Sequence, residues 1–257
     1  MRSTCSERRH RLLAGLVTTA AAALIAAVTA PAAYGDPGTW SLGYDNGSLA
    51  EPGDRITNVD TTELTFTGKY NGAPATVECV IDPEVFNYSV PDPVPSDEPG
   101  GSISLEIAPP TTIGGANDVN GHCTEDVSGN VVELTIPAGT EWTLTVNVPD
   151  TTSPGPWTSS LDGSLTVPQD TVTVTSTFLP GSGGTPPCVI SGPTDNGGLT
   201  VDGTYDPTTG AMAPNGNPSF GLNTSQCPQV GGSPTLQDAT VTLDGPNGVT
   251  PTVVYQP

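Results

Sequence analysis

Beyond residue 35 the chain has almost no positive charge. Four of its six Lys and Arg stand within the first eleven residues, leaving Arg55 and Lys69 against 26 carboxylates, a net charge of −24. Such a field repels phosphate backbones and anionic headgroups, which argues against nucleic acid and membrane surfaces as partners and favours cations or basic proteins. Histidine is nearly absent too: after residue 35 only His122 remains. A Ser-His-Asp arrangement would have to use that one residue, which sits in N-G-H-C-T-E-D beside a cysteine, and no G-x-S-x-G elbow accompanies it. No C-x-x-C pair occurs, so a zinc site is a poor reading of the cysteines. Aromatics make up only 5% of the chain, leaving little material for a sugar-stacking platform. Periodicity of 3.6 residues is missing after residue 35, and with 31 Gly and 28 Pro this excludes a helical protein.

What stands first is a leader. Arg2, Arg8, Arg9 and Arg11 form a basic start, and Leu12 to Val28 is an alanine-rich apolar run. Ala33-Tyr34-Gly35 supplies small residues at the −3 and −1 positions of a cleavage site, so residues 1–35 read as a signal peptide cut before Asp36. Cys5 precedes the apolar run and leaves with it. The rest is expected outside the cell, in the extracellular space or associated with the envelope, with no membrane insertion after cleavage.

Alternation of period two then dominates. Leu64, Phe66 and Tyr70 alternate with Thr65, Thr67 and Lys69, and Val77, Cys79 and Ile81 follow the turn residues Asn71-Gly72-Ala73-Pro74. This predicts a β-hairpin with one buried face. Further strands are expected at Trp40–Tyr44, Val85–Val90, Ile103–Ile107, Val132–Ile136, Trp142–Val148, Leu165–Val167 and Thr171–Phe178. Residues 91–101 carry four prolines and 109–129 is polar, so both are expected as long exposed loops. Residues 180–187, P-G-S-G-G-T-P-P, have the composition of a linker. The chain therefore divides, on sequence, into a β-sandwich domain over 36–179 and a smaller β unit over 188–257.

Cys79, Cys123, Cys188 and Cys227 are an even set in an exported chain and imply two disulfides, with three connectivities open. Cys79-Val80-Ile81 and Cys188-Val189-Ile190 each precede a second cysteine, 44 and 39 positions on, which favours Cys79–Cys123 and Cys188–Cys227. One staple would then hold each unit.

The only hint of a ligand is calcium. Asp118, Asn120, Glu125 and Asp126 cluster around Gly121, oxygen donors suited to a hard cation. The order resembles the start of EF-hand and dockerin loops but has His122 for an acid, Cys123 for the glycine and Gly129 for the bidentate glutamate. Trp142 falls on an apolar strand phase and reads as core, whereas Trp157, in S-P-G-P-W-T, reads as an exposed contact. Asn46, Asn87 and Asn223 begin Asn-x-Ser/Thr triplets, glycosylation candidates only in a eukaryotic pathway.

With its leader, its short spaced strands and its Thr/Val-rich alternation, the chain resembles secreted bacterial β-sandwich proteins with immunoglobulin-like folds. It departs from true immunoglobulin domains in having no tryptophan between Cys79 and Cys123. The resemblance implies extracellular placement and adhesion, and it transfers no functional residue. The expectation is an all-β, antiparallel sandwich followed by a smaller disulfide-stapled unit, acting as a non-enzymatic binding or structural module. Its partner would be an extracellular protein or glycan engaged by the two long loops, with no cofactor beyond weak calcium. A carboxylate-based hydrolase or carbohydrate-binding protein is the alternative, and a cluster of acids in a tryptophan-walled pocket would mark it.

Overall fold

The structure, a computed structural model, describes residues 38–238 and 240–257; the expected leader and its cleavage point lie outside them. The described residues contain no α-helix, and none of their helices is long and apolar enough to cross a membrane. In chain order the strands are β1 Thr39–Tyr44, β2 Arg55–Asn58, β3 Thr62–Tyr70, β4 Ala73–Ile81, β5 Asn87–Ser89, β6 Ser96–Asp97, β7 Ser102–Ile107, β8 Thr112–Gly114, β9 Gly121–Glu125 and β10 Val131–Thr135. Then come β11 Trp142–Asn147, β12 Gly155–Pro156, β13 Leu161–Val167, β14 Val172–Ser176, β15 Cys188–Gly192, β16 Leu199–Asp206, β17 Ala211–Pro214, β18 Val230–Asp238, β19 Val241–Asp244 and β20 Pro251–Gln256.

The expected hairpin is β3–β4. Asn71 and Gly72 both have positive φ (49° and 80°), as a two-residue type I′ turn requires, and Tyr70 pairs with Ala73 to close it. Lys69 and Pro74 form the next, non-hydrogen-bonded pair, so the missing proline N–H faces away from β3. On that side β9 pairs only with Val77 onward, so no ladder bond is lost.

All strands pair antiparallel, in three sheets of a sandwich-like all-β fold. A small sheet runs β12-β20-β1-β6. A second runs β15-β14-β10-β9-β4-β3-β18, with β8 beside β10. A third runs β5-β2-β19-β17-β16-β13-β11-β7. This third sheet returns on itself, because Asn87 exchanges backbone bonds of 3.2 and 2.7 Å with Ala108, just beyond β7. The edges of the second sheet are covered by residues 218–223, which bond β15 through Ser191–Asn223 and β18 through Phe220–Pro234 and Pro218–Leu236. Covered edges remove templates for pairing with other chains.

The division at 180–187 is not what the chain does. Each of the three sheets joins strands from both sides of that segment: β1 with β20, β3 with β18, and β13 with β16. The described residues form one compact unit, whose main core runs from Trp40 to Tyr255. The supposed linker is itself pinned. Gly181 N–H bonds Thr185 O at 2.8 Å and Ser182 N–H bonds Gln226 O at 2.8 Å. Gly181 is buried, and a Cβ there would come within 2.1 Å of Pro187 O, so glycine serves close approach rather than freedom.

Both expected loops are also partly strand. Pro95 offers its carbonyl to Leu42 N–H (3.0 Å), and Ser96–Asp97 pair with β1 at a sheet edge, where proline's lack of a donor costs nothing. Within 109–129 lie β8 and β9. The disulfides are Cys79–Cys123 and Cys188–Cys227, the pairing the spacing favours. The first links residues directly opposite on β4 and β9. The second ties the start of β15 to the segment leading into β18.

Candidate functional site

The calcium reading fails on geometry. Because Gly121–Glu125 are extended, Glu125 lies roughly 15 Å along the chain from Asn120, too far for ligands that must each stand about 2.5 Å from one ion. Three of the four side chains also have other employment. Asn120 Nδ2 donates to Thr112 O (2.8 Å), and Asp126 Oδ1 accepts from Thr76 N–H (2.7 Å). Glu125 accepts from the backbone N–H and hydroxyl of Ser128, clamping the β9–β10 turn. Asp118 is exposed, with φ of 46° in the preceding turn. Among the described residues no three His, Cys, Asp or Glu gather where they could hold a metal. His122 lies exposed on β9 opposite Val80.

The three tryptophans are packed rather than displayed. Trp40 is fully buried and donates its indole N–H to Thr151 O (3.0 Å). Trp157, expected to be exposed, stands edge-on to Trp40 at 5.7 Å with its indole nitrogen buried. Its backbone is fixed by Val253 O and by the Thr252 hydroxyl. Trp142 is core, as its strand phase indicates, and packs on Phe86 at 5.6 Å. None of the three forms an open platform for a sugar ring.

What the fold does build is an apolar cavity of about 170 Å³ between the second and third sheets. Phe66 on β3, Val77 on β4, Leu134 on β10, Val174 on β14 and Ile190 on β15 form one wall. Trp142, Leu165, Val167, Leu199 and Val201, from β11, β13 and β16, form the other. Alternation explains the placement, since each wall residue takes the inward phase of its strand while Thr65, Thr67, Thr173 and Thr175 take the outward one. Phe66, Val77, Val172 and Val174 face the interior yet stay half-buried, because the space before them is unfilled. Gly68 lies on the same inward phase and contributes no side chain.

A smaller cavity of about 50 Å³ adjoins it inside the third sheet, behind Phe86, Met212 and Leu243, with Trp142, Leu165, Val201 and Leu236 shared between the two. Glu125 is the only acid lining either space, so the paired carboxylates of a hydrolase are not present there. Two polar atoms stand out on side chains that line the larger cavity. The Tyr70 hydroxyl and the Trp142 indole nitrogen are buried without a hydrogen-bond partner. Leaving such donors unpaired costs about 1–3 kcal/mol each.

Titration is shifted elsewhere. Asp97 is held below the usual carboxylate range by the backbone N–H groups of Ser102 and Glu98. Burial and the neighbouring Asp54, which accepts the Tyr44 hydroxyl at 2.6 Å, push the Tyr44 phenol up. Burial does the same to Tyr88 and Tyr205, and raises Asp244. None of these five groups lines either cavity.

Alternation marked the wall residues as interior but carried no sign of a void, which depends on how far apart facing strands lie. Comparison with family models, with curated proteins and with solved structures finds no match for this chain.

Proposed function

We propose that this is a secreted, non-enzymatic binding protein whose ligand is a small apolar molecule held between the sheets. The observation that carries the reading is the 170 Å³ cavity with its almost wholly apolar lining. Apolar cavities of this order stay free of water and admit apolar guests, since water inside would find no partners. Two disulfides are compatible with an oxidising compartment. The acidic surface suits a protein that must remain dispersed while carrying an apolar guest. The long loops lose their role as the contact region, and the ligand moves from protein or glycan to a small apolar compound.

The test is titration of the purified protein with N-phenyl-1-naphthylamine, a neutral apolar fluorophore. Saturable 1:1 binding with a blue-shifted, enhanced emission is expected, and it should be lost when Val77, Val172 and Val174 are all replaced by isoleucine. Emission that rises without saturation, or is unchanged in the filled variant, would remove the cavity as the site.

A further inference from the structure

We infer that the occupant is a neutral single-chain amphiphile: an alkyl chain ended by a hydroxyl, ester or similar uncharged oxygen, which accepts a hydrogen bond from Tyr70. The inference rests on the binding reading above and narrows it to a ligand class.

Shape comes first. The lining follows β3 from Leu64 through Phe66 to Tyr70, a run of roughly 20 Å. A volume of only about 170 Å³ spread over such a length describes a narrow space. An alkyl chain can extend along its whole length.

Charge selects the head. The lining includes two ionisable charged residues, Glu125 and Lys69. Glu125 is taken up by Ser128, and Lys69 lies exposed on the outward phase of β3. A carboxylate head would therefore be desolvated without a facing cation, inside a protein of net charge −24 beyond residue 35. An uncharged head avoids both penalties.

Tyr70 supplies the contact. It is only 9% exposed, packed against Cys188, Cys227 and Ile190, with its hydroxyl unpartnered. It immediately precedes the Asn71-Gly72 turn, so it stands at one end of the cavity. Val127, 42% exposed, lines the same space and follows Asp126, which bonds Thr76 on the same hairpin. Tyr70 thus sets the polar end of the space. The oxygen head would rest there against the Tyr70 O–H, with the chain running inward toward Trp142.

Displacement of N-phenyl-1-naphthylamine from the full chain by 1-octanol, octanoate and octane tests this, at pH 8 where octanoate is ionised. Octanol should displace the probe at a concentration lower than octanoate by on the order of tenfold. Tyr70→Phe should weaken octanol by about 3- to 10-fold and leave octane unchanged, octane serving as the control for an intact cavity. Trp142→Phe should leave the octanol-to-octane ratio as it is. Octanoate matching octanol, or an octanol-to-octane ratio that does not fall in Tyr70→Phe, would overturn the assignment while leaving apolar binding in place. Failure of the probe to bind, or of all three compounds to displace it, would instead refute the binding reading itself.

Discussion

Filling the cavity should stabilise the protein, and the sign of that effect is the sharpest test of the interior described above. Val77, Val172 and Val174 come from β4 and β14 and line the larger cavity. Replacing all three with isoleucine adds three methylenes while keeping β-branched side chains suited to strands. Buried in empty space, each methylene is worth about 0.8 kcal/mol, so the triple variant gains about 2 kcal/mol. For a domain of this size that raises the midpoint of thermal unfolding by about 4–8 °C. Were these positions tightly packed, the same additions would cost about 1–3 kcal/mol each through forced rotamers and backbone shifts. Val253, 3% exposed in the small sheet and absent from both cavity walls, provides the contrast, and Val253→Ile should destabilise. Calorimetry of the wild type and both variants decides. A triple variant that melts at or below the wild-type temperature would show that the space is already occupied by packed side chains.

Two further outcomes follow from buried and exposed polar contacts. Asn58 is fully buried and holds the β4–β5 connection by donating to Asp60 O and Asp82 O and accepting from Phe86 N–H. Asn58→Ala orphans these groups and should cost about 3 kcal/mol in urea unfolding, and a loss below about 1 kcal/mol would mean that the connection re-forms its bonds elsewhere. Asp97, whose pKa is lowered by Ser102 and Glu98 N–H, contributes stability above the ordinary aspartate value of 3.8, and that contribution is lost as pH falls through its lowered folded value. Asp97→Asn should therefore lower stability at pH 7 by about 1 kcal/mol at most, because the carboxylate is solvent-screened, and the difference should close in acid; a gap that widened in acid would contradict the sign.

Local features of the fold were legible where one residue type has one physical use. Asn71-Gly72 between alternating runs marks a hairpin, and Cys79 on an inward phase marks a buried staple. Glycine and proline mislead where their use is not local. In residues 180–187 the same composition that loosens a linker lets Gly181 pass within van der Waals limits of Pro187 and Gln226. The Asp118–Asp126 cluster misled differently. Its polarity hid an alternating strand, Gly121–Glu125, whose buried positions are a glycine, a cysteine and a turn-clamping glutamate rather than the usual Val or Leu. The interleaving of the two halves could not be read at all. The pairings β1–β20, β2–β19 and β3–β18 join residues about as far apart as the chain allows, and no local pattern encodes which distant edge a strand will meet.

The scarcity of aromatic side chains noted at the outset has a structural counterpart. Facing sheets stand about 10 Å apart, and that gap is filled when large and small residues interdigitate across it. Here Val77, Val167, Val172, Val174 and Val201 meet across the gap, with Gly68 adding nothing, while Phe66 and Phe220 pack edge-on at 5.9 Å at the side. Valine suits the strand but is short for the gap, so the residues that favour the fold leave its centre unfilled. Elsewhere the chain does supply bulk: Trp40, Tyr44 and Tyr255 pack the small sheet with residues buried to within 9%. The unfilled space thus lies where the valines face one another, whereas the small sheet is packed by its aromatics. At about 24 cal/mol per Å³ an unfilled space of 170 Å³ forgoes about 4 kcal/mol, a large share of the 5–15 kcal/mol typical of a folded domain. A loss of that size, in a chain that carries two disulfides, is most simply balanced by a guest that restores the missing contacts. Mass action sets the amount: a ligand at a hundred times its dissociation constant returns about 2.7 kcal/mol. The protein isolated from its native medium should therefore melt several degrees higher than the same protein after organic extraction and refolding, and equal midpoints would mean that the cavity is empty where the protein works.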